Sequence, residues 1–216
     1  MLAFVTFFDG VPDVQPDPVP DLQRKRPPWE APPRGWVGGP LPWHVEIFSG
    51  ANLYVAMGNV SAFPSGVLFD VDVRIRPGIT DGDDGPGRTH RLVHYSLQSR
   101  SPRLGWAFSD GRKAIAGRPI LQGPNSASLI GNGGGGSGSD WLDHMWLWPL
   151  PPAGPVVLAY SWEAAGISER EFEFDGRELA EAAGRAKLLW VGDQSDNRKV
   201  VDDLDLTRLG EQQPLG

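Results

Sequence analysis

The stretch WLDHMWLWPLPPAGPVVLAYSW, residues 141–162, decides the fold class of this chain. Its two ends are rich in the aromatic and β-branched residues that strands prefer. Between them stand Pro149, Pro151, Pro152 and Pro155, which lack the backbone N–H that a strand ladder needs. The stretch therefore predicts two strands joined by a proline-rich turn, the central hairpin of an antiparallel β protein with an aromatic core.

The clearest single strand runs from Val67 to Arg76. Apolar side chains alternate there with mostly charged ones, a period of two that is typical of an antiparallel strand with one face toward solvent. We expect residues 88–97 to pair with this strand across the loop PGITDGDDGPG. That register places Asp70 beside His94 on the solvent face.

Weaker strand patterns occur on both sides of this strand. Strands are predicted over residues 43–48, 52–60, 156–162 and 168–174, where β-branched and aromatic residues recur. In the last of these segments, the phenylalanines are predicted to face inward and the glutamates outward. Many short strands without alternating helices favour an antiparallel sandwich over a parallel α/β fold.

Two glycine-containing segments are predicted to be connections. Asp110-Gly111 stands between strand-like arms and favours a type I′ hairpin turn, in which both central residues have positive φ. The run GNGGGGSG, residues 131–138, predicts a long flexible loop. It lacks the Gly-Lys-Ser/Thr and the following helix of a phosphate-binding loop, so a phosphate site is not expected there.

One helix is predicted over about residues 176–190. Asp175 and Glu178 have the spacing of a capping box at its start. Its apolar stripe consists of Leu179, Ala182, Ala183, Ala186 and Trp190. The predicted fold is therefore an all-β antiparallel β-sandwich, Ig-like or jelly-roll-like, with one C-terminal α-helix; a β-barrel is the alternative.

The sequence divides into an arm, a domain and a tail. Residues 1–42 form a proline-rich arm, with ten prolines between Val11 and Pro42. The arm is predicted to wrap the domain with Trp29 and Trp36 packed onto it, although its RKRPPWEAPPRGW segment also fits a proline-rich recognition peptide. The sandwich is expected over residues 43–192, and residues 193–216 are expected to be an acidic flexible tail.

Composition excludes several functional classes. The chain has 216 residues, 40% of them hydrophobic, which is enough for one soluble domain with a core. A net charge of −7 and a single short basic run, Arg24 to Arg26, argue against nucleic-acid binding. No apolar run is long enough to span a membrane. The absence of cysteine excludes disulfides and thiol chemistry, and without a signal-peptide pattern at the N-terminus we expect a cytoplasmic protein.

Candidate chemistry in the sequence is sparse. Asp70 and His94 are weak candidate catalytic residues, because a carboxylate beside an imidazole orients a general base; an ordinary cross-strand charge pair is the favoured interpretation. Asp81, Asp83 and Asp84 are candidate calcium ligands in a glycine-rich loop. The glutamate that completes an EF-hand loop is missing there, so a solvated turn is the simpler interpretation. No cofactor-binding motif is present.

Part of the chain resembles a known but uncharacterised family. The segments GNGGGGSG, WLWPLPPAGP, VVLAYSW, GISE and ELAEAAGRAKLLW occur in this order between Gly131 and Trp190. This order is similar to that of an uncharacterised actinobacterial protein family with a W-x-W-P-L-P-P-x-G-P motif. The resemblance implies a β-rich fold and assigns no activity or site residue.

We therefore expect a non-catalytic module that binds a protein partner or serves in assembly. The missing catalytic signature and the two long termini favour this function, with contacts through the arm, the tail or a sheet edge. The alternative is a carbohydrate-binding or glycan-processing sandwich that uses surface tryptophans and acidic residues. That alternative requires exposed, coplanar indole rings among the nine tryptophans.

Overall fold

The computed structural model describes residues 27–79, 95, 101–118, 126–137 and 139–190. These residues form two antiparallel sheets, a two-stranded ribbon and one α-helix. The sheets are not closed into a barrel, and their inner faces share one hydrophobic core. The predicted all-β sandwich with a single helix is confirmed, and the barrel alternative is wrong.

The larger sheet has six strands. Their order is β2-β4-β5-β9-β8, and β3 pairs with β4 on the same edge as β2. The strands are β2 (Gly39–Pro40), β3 (Val45–Ser49), β4 (Leu53–Phe63), β5 (Gly66–Ile75), β8 (Ser128–Ser137) and β9 (Asp140–Trp148).

The smaller sheet has four strands, in the order β11-β10-β6-β7. They are β6 (Arg103–Ala107), β7 (Lys113–Ile115), β10 (Pro155–Trp162) and β11 (Ile167–Asp175). The helix, α1 (Gly176–Gly184), follows β11 directly. The ribbon pairs β1 (Trp36–Val37) with β12 (Lys187–Leu188).

The core lies between the two sheets and is built from the predicted alternation. In β5, the residues from Val67 to Ile75 that share the parity of Phe69 are all buried. Phe69 meets Trp106 of the other sheet edge to face, with ring centroids 5.5 Å apart. The period of two in the sequence therefore identified the inner face of β5 correctly.

The predicted central hairpin is wrong, because its two arms belong to different sheets. β9 pairs with β5 and β8, whereas β10 pairs with β6 and β11. The prolines end the ladder as expected, but residues 149–154 then cross from one sheet to the other. The Leu150 N–H donates to the Ser65 carbonyl at 3.1 Å, and the Ser109 hydroxyl donates to the Ala153 carbonyl at 3.0 Å. These bonds tie the crossover to both sheets.

The predicted partner of β5 is also wrong. β4 and β9 occupy the two edges of β5 along its length, so residues 88–97 cannot pair with it. The segment itself lies outside the described residues, apart from Tyr95. Asp70 consequently stands opposite His144 of β9, not opposite His94.

The glycine run is a strand, not a flexible loop. Residues 131–137 belong to β8 and pair with β9 from Met145 to Asp140. Glycine, unlike proline, keeps both the N–H and the C=O groups that pair in a sheet. The two strands approach so closely here that a Cβ on Gly136 would overlap the Asp140 carbonyl oxygen. Composition predicted flexibility, but backbone pairing with β9 determines the structure.

The β6–β7 hairpin forms where predicted, with a different turn. The Gly111 N–H donates to the Phe108 carbonyl, and the Phe108 N–H donates to the Arg112 carbonyl, each at 2.9 Å. Of Asp110 and Gly111, the central residues of the predicted turn, only Gly111 has positive φ, at 86°. Asp110 instead accepts the Arg112 N–H with its carboxylate. The turn is therefore type I with a left-handed glycine, not type I′.

The helix begins at the predicted N-cap, but Glu178 of the predicted capping box bonds to Trp43, and the helix ends earlier than predicted. The Asp175 carboxylate accepts the Arg177 N–H at 2.9 Å, which is an N-cap. The helix ends at Gly184 instead of Trp190, because glycine is a poor helix former and Lys187–Leu188 pairs with β1. The Glu178 carboxylate accepts the Trp43 indole N–H at 2.7 Å and so anchors α1 to the chain before β3.

The last part of the arm packs onto the sandwich. The Pro28 carbonyl accepts the Trp146 indole N–H at 2.9 Å, and Trp29 meets Trp148 edge to face. Because β2 joins the large sheet, the folded part extends N-terminally of Trp43, where the sequence predicts the domain to begin. Residues 1–26 and 191–216, including the predicted tail, lie outside the described residues.

Candidate functional site

The outer face of the four-stranded sheet is a groove with a floor of small side chains. Strand alternation turns large residues such as Leu158 and Tyr160 into the core and leaves their neighbours outside. The outward neighbours on β10 and β6 are Val157, Ala159, Gly105 and Ala107. Because these side chains are short, the centre of the face is recessed, and the groove encloses about 440 Å³.

The two walls of the groove carry opposite charges. Glu169 and Glu171 project from β11 on one side. Arg103, Lys113 and Arg118 line the other side, on and after β6 and β7. All five side chains are exposed, and none of them is ion-paired within the part of the chain that the structure describes. We call this surface the bipolar groove, defined by these five residues and the floor.

A second polar cluster lies on the opposite side of the molecule, on the outer face of the six-stranded sheet. His144 Nδ1 is 2.6 Å from Asp70 Oδ1, and the Asn59 amide donates to Asp70 Oδ2 at 2.9 Å. Asp70 is only 9% exposed, whereas the His144 side chain is 44% exposed. The carboxylate is thus buried between two partners, and the imidazole reaches solvent.

Two β-bulges flank this cluster at the same level of the sheet. On β4, the register shifts between Gly58 and Ser61, and Asn59 within the shift has a φ of 50°. On β8, the register shifts between Gly131 and Gly134, opposite His144. Bulges re-aim side chains and are frequent beside functional sites. The β4 bulge is what brings the Asn59 amide to Asp70.

Of the predicted site residues, one lies in this cluster and the others lie outside the described part of the chain. Asp70 is in the cluster, but its imidazole partner is His144; His94 lies outside the described residues. The candidate calcium ligands Asp81, Asp83 and Asp84 also lie outside them. Among the residues that are described, no group of three His, Asp or Glu side chains could hold a metal ion.

Sequence reasoning missed His144 because its position depends on a long-range pairing. The signal existed: His144 has the same parity as Trp146 and Trp148, on the face of β9 opposite Met145 and Leu147. Only the register of β9 against β5 shows that this face also carries Asp70. The bipolar groove was missed as a whole, although its row of outward glutamates on β11 was predicted and is confirmed.

The tryptophans are mostly part of the fold. Among the nine, only Trp190 is exposed, at 57%. Trp29 and Trp148 are inclined by 68° and do not form a flat platform. The pair of coplanar, exposed indole rings that sugar stacking requires is therefore missing among the tryptophans, since Trp190 is the one that is exposed.

Buried tyrosines supply no acid–base chemistry at neutral pH. Burial raises the pKa of the Tyr160 hydroxyl well above its ordinary value of 10.0, and burial does the same for Tyr95. Both hydroxyls therefore stay protonated. The carboxylates of Asp110, which is exposed, and Asp175, which is half-buried, have lowered pKa values because they accept hydrogen bonds from Arg112 and Arg177.

Comparisons with known proteins identify no family for this chain. No family model matches the chain, and neither a curated protein nor a solved structure matches it. The resemblance to the actinobacterial family therefore stays a prediction. Among the described residues, no helix has the length and apolar character that crossing a bilayer requires.

Proposed function

We propose that this protein is a binding module that holds an extended polypeptide segment in the bipolar groove. The observation that carries the proposal is the arrangement of charges: glutamates on β11 face three basic side chains across a floor of small residues, and none of the five is ion-paired to another described residue. The volume of about 440 Å³ lies within the range typical of binding clefts. Exposed charges of this kind give specificity and orientation to a partner.

The spacing of the walls favours a polypeptide in the β conformation. Two inter-strand steps separate β11 from Arg103 on β6, and three separate it from Lys113 on β7, which amounts to roughly 10 and 14 Å. A single extended chain fits between the walls and projects successive side chains to opposite sides. Basic side chains then meet Glu169 and Glu171, while acidic ones meet Arg103 and Lys113. The preferred segment therefore alternates acidic and basic residues.

Other surfaces are less suitable for a partner of this kind. The outward face of the six-stranded sheet is partly covered by residues 27–30 and contains the fully buried Trp146. The carbohydrate alternative has Trp190 as its single exposed tryptophan. Binding of a protein segment through the four-stranded sheet is thus the function that the geometry supports best.

Fluorescence anisotropy with two labelled peptides tests the proposal on the full chain. One peptide alternates Glu and Lys; the other has the same composition in two blocks, so net charge and length are matched. We expect the alternating peptide to bind at least about tenfold more tightly, which corresponds to ~1.4 kcal/mol. Added salt weakens the interaction, because the walls are exposed to solvent.

Variants of the walls identify the surface. Glu169→Gln with Glu171→Gln, and separately Arg103→Gln with Lys113→Gln, should each weaken binding of the alternating peptide. Glu46→Gln and Lys187→Gln are matched controls, since both side chains are exposed and lie outside the groove. Equal affinity for the two peptides, or equal affinity of wall and control variants, would contradict the proposal.

A further inference from the structure

The pair of Asp70 and His144 has a defined proton arrangement. An ionised carboxylate only accepts hydrogen bonds, so the 2.6 Å contact requires the proton on His144 Nδ1. In the neutral imidazole, Nε2 then carries the free lone pair. Asp70 cannot turn away, because Asn59 holds its second oxygen at 2.9 Å. Asn59 therefore fixes the Asp70 carboxylate, and this carboxylate in turn fixes the orientation of the His144 ring.

The local backbone is arranged around this pair at a cost. Asn59 has a left-handed φ of 50°, a conformation that few residues other than glycine and asparagine adopt. Burial of the Asp70 carboxylate is also unfavourable unless it is hydrogen-bonded. An exposed charge pair on a sheet face requires neither the bulge nor the buried position. Strain and burial combined in one place are typical of functional sites.

The neighbours of His144 on its own strand are apolar, and the side of the ring toward the glycines of β8 is open. Trp146 and Leu142 are its neighbours on the same face of β9, and Leu68 pairs with Trp146. On β8, Gly133 stands at the bulge beside the ring; a Cβ added there would be 4.0 Å from His144 Cδ2. A small acyl group can therefore approach the imidazole over Gly133, which carries no side chain.

We infer that His144 is a general base that hydrolyses small carboxylic esters, with Asp70 and Asn59 as positioning residues. His144 Nε2 removes a proton from water while the water oxygen bonds to the acyl carbon. The bond from that carbon to the ester oxygen then breaks, and the alcohol leaves with the proton from Nε2. Ester and water give acid and alcohol, and no metal or redox partner takes part. The site is separate from the bipolar groove and does not depend on peptide binding.

Hydrolysis of p-nitrophenyl acetate by the full chain tests this inference. We expect His144→Gln to lower kcat/KM about 100-fold. Asp70→Asn keeps the imidazole and should give a value between those of His144→Gln and wild type. His44→Gln is the matched control, because His44 is exposed on the same side of the sheet near Gly58 and has no bond to Asp70. It should retain wild-type activity.

Ring-nitrogen NMR of His144 separates positioning from stability. The neutral ring in wild type should be protonated at Nδ1, and Asp70→Asn should shift it to a mixture of tautomers. In the carbethoxylated wild-type chain, loss of hydrolysis should follow modification of His144, read from peptide masses, and not that of the other three histidines; this keeps the test valid if a variant fails to fold. Equal activity of wild type and His144→Gln, an equal loss in His44→Gln, or an Nε2-protonated ring in wild type would each overturn the inference.

Discussion

The two outer faces of the sandwich share the same strand alternation and differ in what covers them. On the four-stranded sheet, the outward residues are small, and charged rows stand on both sides. On the six-stranded sheet, the outward Trp146 is completely buried beneath Phe63 and the backbone of Pro28. The first face is a groove, whereas the second has become part of the folded interior.

Strand period therefore determines the direction of a side chain but not its exposure. Trp146 and Ala159 both point away from the core between the sheets. Trp146 is buried because a segment more than a hundred residues earlier in the chain crosses it. Ala159 lines an open groove because none of the described residues does the same there.

Trp146→Ala should have the largest effect on stability. The substitution removes a buried indole, its edge-to-face contact with Phe63 and its hydrogen bond to Pro28. We expect a loss of about 3–5 kcal/mol in the free energy of unfolding, measured in urea. Glu171→Gln in the groove is the control and should change it by less than about 0.5 kcal/mol. A loss of less than about 0.5 kcal/mol in the free energy of unfolding for Trp146→Ala would show that the arm does not cover this face.

Two neighbouring glycines test whether residues 131–137 form a strand. A Cβ on Gly136 would overlap the Asp140 carbonyl oxygen, whereas a Cβ on Gly135 meets nothing within 4 Å. Gly136→Ala should therefore destabilise the fold by about 1–3 kcal/mol, and Gly135→Ala should be close to neutral. Thermal melting measures both. Equal, small effects would indicate a loop and would remove β8 from the large sheet.

The smallest expected effect concerns pH. Hydrogen bonds from Arg177 lower the pKa of Asp175 below its ordinary 3.8. The folded state therefore gains stability from the ionised carboxylate above that value and loses it as the pH falls through the lowered pKa. Asp175→Asn keeps a good N-cap but does not titrate.

The melting temperature of Asp175→Asn should accordingly lie below that of wild type at about pH 6, and the difference should shrink at about pH 2.5. Salt should reduce it, since Arg177 is largely exposed. A difference that is independent of pH would mean that the carboxylate contributes only as a hydrogen-bond acceptor.

Local features of the fold were predictable from the sequence. The inward face of β5, the outward glutamates of β11 and the N-cap Asp175 were predicted and are present. Each depends on a period or a capping pattern within a few residues. Gly184 also offered a local signal for the end of the helix, and the apolar stripe through Trp190 obscured it.

Long-range pairing was not predictable. Pro149 to Pro155 look the same in a hairpin turn as in a crossover between sheets. The partners of β5 lie on strands whose register no local pattern determines, so His94 was predicted where His144 stands. The bipolar groove needs β6, β7, β10 and β11 to be placed side by side, and its charges lie far apart in the sequence.

The most direct measurement is an NMR map of backbone amide shifts as the alternating Glu-Lys peptide is added to the full chain. We predict shifts concentrated at the groove floor, at Gly105, Ala107, Val157 and Ala159, with the amides around Asp70 unchanged. Shifts centred on the face that carries Asp70, or no shifts on either face at saturating peptide, would contradict the assignment of the groove as the binding surface.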